Sequence, residues 1–269
     1  TKFTAHGVPE FDGNDFAHLF FCHFLFFHFF FGWSFFFLHY LFFHFFYRRF
    51  FSRSRCVTAT TASQPATIDV YLDLTTDATK TISVTGTSTL DLNARVQNGG
   101  IAKIGTGTLI LSGGNTFEDD VDIQAGIIRI DNDAGLGEDT SSSTTVQSGA
   151  QLQLDGVNVG VEALTLNGAG ISSDGALRTV TTTDNTWAGT VAVATNSEIE
   201  VTANATLAIS GNITGANTLT VESIGNTTFT GTNSINILTK TGAGNLTVSN
   251  NNNTYVTANI NAGDFTLGT

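Results

Sequence analysis

The feature that most constrains the fold is a stretch that occurs twice, at residues 98–130 and 235–267. Each copy carries the pattern KxGxG, then a pair of alternating apolar residues, then turn residues and a second alternating pair. Lys103 and Gly105 correspond to Lys240 and Gly242. Because successive side chains of a strand point to opposite faces, each copy predicts short strands with one apolar face. The stretch is therefore interpreted as a structural repeat.

Strands of about five residues cannot bury an apolar face alone, but stacked units share a continuous core. From Val57 onward, strand-sized segments alternate with Gly or Asn turns, and no segment has a helical period. We therefore predict an all-β chain folded as a right-handed parallel β-helix, with three strands per coil and roughly ten coils of about 20 residues. A β-sandwich is the alternative, disfavoured because hairpin turns and Pro-bearing loops are missing.

The alternation also predicts which side chains fill the interior. Ile68, Val70, Leu72 and Leu74 should lie on one face of a first rung. The later interior positions, mostly Leu, Ile and Val, are Leu109, Leu111, Val121, Ile123, Ile128, Ile130, Leu152, Leu154, Leu164, Leu166, Val191, Val193, Leu207, Ile209, Leu219, Val221, Leu246, Val248, Ile260, Phe265 and Leu267. Thr and Ser should dominate the outward positions.

The two copies read GGIAKIGTGTLILSGGNTF with IQAGIIRI, and ILTKTGAGNLTVS with INAGDFTL. They closely resemble the autotransporter-associated β-strand repeat of bacterial passenger domains, the passenger-associated transport repeat. The resemblance implies a non-catalytic β-helical stalk of a bacterial surface or secreted protein, which aids secretion, folding and display of the passenger. It also implies a cell-surface or extracellular location and an outer-membrane translocation barrel as partner, on the C-terminal side. Since the chain stops on a strand edge at Thr269, we expect it to be a fragment.

Composition divides the chain into residues 1–56 and 57–269. Twenty of the 23 Phe and all six His precede Ser52, whereas residues 57–269 contain no His, Cys or Met. The first part is a mostly apolar segment, expected to be helical or disordered, whose Arg residues follow the apolar run instead of preceding it. Three explanations stay open: an aberrant N-terminus, an unusual export segment cleaved after Ala62, or a membrane anchor. His18, His23 and His28 are spaced by five residues, as are His39 and His44. This spacing places neighbours on different sides of a helix and disfavours a metal or haem site.

The charge of the second part limits its partners. Residues 57–269 carry six Lys/Arg and 20 Asp/Glu, a formal net charge of 6 − 20 = −14. Nucleic acids and anionic membranes require clustered basic residues, so neither is expected as a partner. A solvated, self-repelling surface is the simplest interpretation.

Two acidic segments are candidate metal sites. Glu118 to Asp122 (EDDVD) offers oxygen ligands, but a short charge run at an outer face is usually only solvated. Asp131 to Asp139 (DNDAGLGED) lacks the Gly and Glu that an EF-hand needs at its sixth and twelfth positions, and is interpreted as a turn. We predict no metal site.

Catalysis is not expected either. Without His, residues 57–269 lack the usual base for a Ser or Cys nucleophile. Glu198 and Glu200 are expected on one outer face, yet no basic or aromatic subsite accompanies them except Trp187. We predict no catalytic residue, cofactor or small-molecule substrate. Two alternatives are a β-helix carbohydrate-active enzyme using Glu198 and Glu200, and an adhesin binding host or matrix ligands, with Trp187, Tyr71 and Tyr255 as candidate contacts.

Overall fold

The computed structural model describes residues 56–59, 65–74, 79–137 and 142–268, which form a parallel β-helix of about ten coils. Every strand pairing among these residues is parallel, which confirms the predicted solenoid and excludes the β-sandwich. No described helix is long and apolar enough to cross a membrane. The predictions for residues 1–55 and for cleavage after Ala62 lie outside the described residues, and the division at residue 57 stays a prediction.

The described chain contains short strands and one 3-10 turn, Ile171–Ser173. In chain order the strands are β1 Cys56–Ala59, β2 Ala66–Ile68, β3 Leu72–Asp73, β4 Thr79–Val84, β5 Thr89–Leu92, β6 Val96–Gln97, β7 Gly100–Ile104, β8 Thr108–Leu111, β9 Val121–Ile123, β10 Gly126–Ile130, β11 Ser143–Val146, β12 Ala150–Leu154, β13 Asn158–Val159, β14 Ala163–Leu166, β15 Leu177–Thr179, β16 Asp184–Trp187, β17 Val191–Val193, β18 Ser197–Val201, β19 Thr206–Ile209, β20 Ile213–Ser223, β21 Asn226–Phe229, β22 Asn233–Thr241, β23 Asn245–Val248, β24 Thr254–Ile260 and β25 Asp264–Leu267.

These strands form three faces. The first face contains β1, β4, β7, β9, β11, β14, β17 and the beginnings of β20, β22 and β24. The second contains β2, β5, β8, β10, β12, β15, β18 and the ends of the same three long strands. The third contains the β3–β6 pair and the six strands β13, β16, β19, β21, β23 and β25.

Coil length varies along the axis. Leu90 pairs with Leu109 one coil later, whereas Asn158 pairs with Thr186, so the second of these coils is clearly the longer. The longer coils carry their extra residues in turns between strands, including the segment around the 3-10 turn. The predicted uniform coil length therefore fits the shorter coils only.

The predicted interior is largely confirmed. Eighteen of its later positions, from Leu109 to Val248, have at most 1% of their surface exposed. Ile260 and Leu267 are 43% and 66% exposed, and Phe265 is only partly buried, because they belong to the last described coil, which is covered on one side only. Of the predicted first rung, Ile68, Leu72 and Leu74 do pack in or against the interior. They do not share one strand face, since the chain turns after Ile68 and places β2 and β3 in different sheets.

Glycines let consecutive coils touch at one corner. A Cβ on Gly211 would lie 1.7 Å from the carbonyl oxygen of Gly189, and one on Gly231 would lie 2.1 Å from that of Gly211. The backbones are therefore in direct contact through a column of three glycines, and no side chain fits there.

We expect Gly211→Ala to lower the free energy of unfolding by about 1–3 kcal/mol, the usual cost of overpacking. The matched control is Gly114→Ala, because a Cβ at exposed Gly114 meets only the Asn132 side chain at 4.0 Å. That control should be neutral or stabilising by about 0.4–1 kcal/mol, since alanine reduces the entropy of the unfolded chain. Urea unfolding of both variants tests the glycine column, and equal stability of the two would contradict it.

Candidate functional site

The repeat places one lysine inside the solenoid in each copy. Lys103 and Lys240 have 0% of their surface exposed, although they carry charged side chains among aliphatic neighbours. Lys103 lies in β7, opposite Ile82 and Ile123 of the adjacent coils. A buried ammonium group is stable only when hydrogen-bond acceptors replace its water.

Backbone carbonyl oxygens supply these acceptors in the same way in both copies. The Nζ of Lys103 donates to the carbonyls of Ile104 (3.0 Å), Gly105 (2.7 Å) and Ala125 (3.0 Å). The Nζ of Lys240 does the same at the corresponding carbonyls, those of Thr241 (2.6 Å), Gly242 (2.8 Å) and Ala262 (3.1 Å). We call each arrangement a lysine clamp. Its third acceptor belongs to the following coil, so the clamp joins one coil to the next.

Glycine makes the clamp possible. Gly105 and Gly242 have φ angles of 76° and 71°, in the left-handed region that favours glycine. A Cβ at either position would also lie 2.4–2.5 Å from a carbonyl oxygen of the preceding coil. The tight turn after the lysine directs successive carbonyls toward Nζ, which explains the spacing KxG within the pattern.

Burial affects the charge of both lysines. Desolvation lowers the pKa of Lys103 from 10.5 to about 8. Desolvation also lowers the pKa of Lys240, while the carboxylates of Asp264 and Glu222 act in the opposite direction. Carbonyl hydrogen bonds favour the charged form and so oppose desolvation in both clamps.

The two clamps occupy different faces. The strand of Lys103, β7, belongs to the first face, whereas Lys240 lies in the second-face part of β22, opposite Val221 and Ile260. The clamp is therefore a local unit of the repeat and does not depend on which sheet contains it.

Glu198 and Glu200 lie on the outer side of β18, as predicted, while Ile199 and Val201 between and beside them point into the core. The structure corrects the expectation that no basic residue accompanies them. The Nε of Arg178 lies 2.8 Å from Oε2 of Glu200, whose side chain is only 8% exposed. Glu222 pairs with Glu200 from the next coil, and the carboxylate of Asp174 lies 3.4 Å from Nη1 of Arg178.

This cluster holds four carboxyl groups near one guanidinium group. Burial raises the pKa of Glu198 from 4.5 to about 7, assisted by the charge of Glu222 and a hydrogen bond with it. Burial also raises the pKa of Glu200, although Arg178 opposes the shift. The ion pair with Arg178 favours the ionised form of Glu200, so Arg178 counteracts the effect of burial on the pKa of this residue.

The other candidate residues have structural partners. Trp187, expected as an exposed aromatic contact, is fully buried, and its indole nitrogen donates to the carbonyl of Glu162 (3.1 Å). Asp131 to Gly137 forms a turn, as predicted, in which Asn132 accepts a bond from the Ala134 amide (3.0 Å). Residues 138 and 139 lie outside the described residues. Within the described ranges no group of three or more His, Cys, Asp or Glu is placed to hold a metal ion.

Sequence reasoning missed the lysine clamps and the Arg178–Glu200 pair. The burial of Lys103 could have been predicted, because Lys103 and Ile101 are two residues apart in one strand and therefore point to the same side of it. The pairing of Arg178 with Glu200 could not have been predicted from the sequence. It depends on the length of the coil between the two residues, and only the strand register of the structure defines that length.

Comparison with known families agrees with this repeat structure. The family model of the passenger-associated-transport-repeat matches residues 101–130 and 238–267, and each match contains one clamp. No curated protein and no solved structure matches the chain. The two repeats and the parallel solenoid fit an autotransporter passenger β-helix.

We expect Lys240→Met to lower the free energy of unfolding by about 1–3 kcal/mol, because buried carbonyl oxygens lose their donor. Lys103→Met should behave alike, whereas Lys80→Met, at a half-buried lysine, serves as the control. Urea unfolding provides the measurement. If a methionine variant is as stable as the wild type, the prediction is contradicted. The hydrogen bonds of the ammonium group would then only offset the free-energy cost of removing that group from water.

The second prediction from this region concerns pH. Folded Glu198 keeps its proton up to about pH 7, while the unfolded chain releases it near 4.5. Between these values the folded state binds more protons, so stability falls as pH rises. In the Glu198→Gln variant, stability should fall less as pH rises, and its melting temperature at pH 8 should exceed that of the wild type. The control Glu118→Gln, at an exposed residue, should melt like the wild type across the pH range. Melting curves from pH 4 to 8 that run parallel for all three proteins would contradict the assignment.

Proposed function

We propose that the chain is a non-catalytic β-helical stalk of a bacterial autotransporter-like surface or secreted protein. The observation that carries the proposal is the lysine clamp, which recurs with the same three acceptors in both matched repeats. The stalk aids secretion and folding of the passenger and displays it away from the cell.

The clamp suits a chain that folds while it crosses a membrane. Lys103 obtains its third acceptor, the Ala125 carbonyl, only after the next coil has stacked. Each new coil also covers the Leu, Ile and Val layer of the coil before it, and this burial favours the folded coil over the extended chain. Stepwise stacking therefore opposes backward sliding and needs no energy source at the cell surface.

The side chains that the sequence offered for the two alternatives have structural partners. Glu200 is paired with Arg178, and Trp187 lies in the core. Of the remaining aromatic candidates, Tyr71 lies under Arg95, with the guanidinium carbon 5.3 Å from the ring centroid, and Tyr255 is partly buried. A stacked aromatic subsite for an enzyme or adhesin is thus not supported by these side chains.

The proposal is tested in the cells that naturally make the protein. Intact cells are treated with protease and probed with antibody against residues 57–269, and the released chain is sequenced from its N-terminus. We expect the β-helix to be accessible before lysis, and surface appearance of the Lys240→Met chain to be slower than that of Lys80→Met. Accessibility only after lysis would contradict the surface location. Equal rates for the two variants would contradict a role of the clamp in secretion.

A further inference from the structure

A groove of about 540 Å³ lies on the outer surface of the first face. It spans four successive strands, β4, β7, β9 and β11, and its lining is mostly polar.

The stacking register explains why the surface is concave here. One outward column contains Thr81, Ala102, Asp122 and Thr145, in consecutive coils. Ala102 is the smallest of the four and forms the floor, with the longer side chains of the flanking coils as walls. The backbone before β9 packs directly on β7, since the carbonyl of Asp120 lies only 2.5 Å from a Cβ built on Gly100.

The polar groups around this floor are held in place by one another. Asp122 accepts a hydrogen bond from Gln124 on one carboxylate oxygen (2.8 Å) and from Gln147 on the other (2.9 Å). Asp120 accepts bonds from the amide and hydroxyl of Ser143 (2.9 and 2.8 Å). An ionised carboxylate has about four acceptor sites, so Asp122 keeps free acceptors next to two amide groups.

We propose that this groove binds a neutral saccharide chain. The groove presents carboxylate oxygens that only accept hydrogen bonds, beside amide and threonine groups that both donate and accept them. Sugar hydroxyls can bond to all of these groups, because a hydroxyl also donates and accepts. The two aspartates disfavour anionic ligands, and no described lining residue is basic or aromatic. The proposal goes beyond the stalk function and does not rest on it. Without an aromatic platform, we expect the binding to be weak.

The test uses the full chain, labelled with a fluorophore, on an array of immobilised neutral, amino and acidic oligosaccharides. Ala102→Trp fills the groove from its floor, and we expect it to reduce retention on neutral glycans by at least about tenfold. The matched control is Ala192→Trp, because Ala192 belongs to the same outward column but lies between Thr165 and Thr214, without carboxylates. The control should retain the wild-type signal. Circular dichroism verifies that both variants keep the β-helix.

A second variant, Asp122→Ala, removes the central acceptor and should also reduce retention. The proposal is overturned if no neutral glycan is retained, or if Ala102→Trp binds as well as Ala192→Trp. Retention confined to amino glycans and lost in high salt would also overturn it, because simple charge attraction by the aspartates would then suffice. None of these results affects the surface-accessibility test, so the groove and the stalk are judged separately.

Discussion

Parallel stacking of one coil on the next is the constraint on which this structure depends. It places each side chain opposite its equivalent in the adjacent coils. Equivalent side chains therefore form a column along the solenoid, and most members of a column have the same surroundings. Inward columns therefore require apolar residues in coil after coil, as in the series Leu152, Leu177, Ile199 and Val221. Where coils touch at a corner, the same rule requires glycine in coil after coil, as at Gly189, Gly211 and Gly231.

The lysine clamp satisfies this constraint by an unusual route. Lys103 occupies an interior position between Ile82 and Ile123, where an aliphatic residue would be expected. Its stem packs as a hydrocarbon, and its ammonium group binds carbonyl oxygens at and beside a glycine turn. One side chain thus fills the layer, completes the turn and bonds to the following coil. This combination explains why lysine and glycine occur together in the repeat.

The fold could be predicted from the sequence because inward and outward positions alternate along each strand. Leu109 and Leu111 are assigned correctly from their own segment alone. The contacts between coils could not be predicted, because coil length varies and a change of one residue alters every pairing. Arg178 beside Glu200 and the burial of Trp187 both depend on that register. The role of Lys103 was missed although its parity indicated an inward side chain, since charged residues are rarely fully buried.

The two copies of the repeat lie on different faces of the solenoid. The distance along the chain from Lys103 to Lys240 is therefore not a whole number of coils, yet the three acceptors occupy the same positions relative to each lysine. The repeat can therefore form its clamp at more than one corner of the solenoid. Each copy carries its turn, its hydrogen bonds and its interior layer with it, so its structure does not depend on the phase of the coil in which it lies.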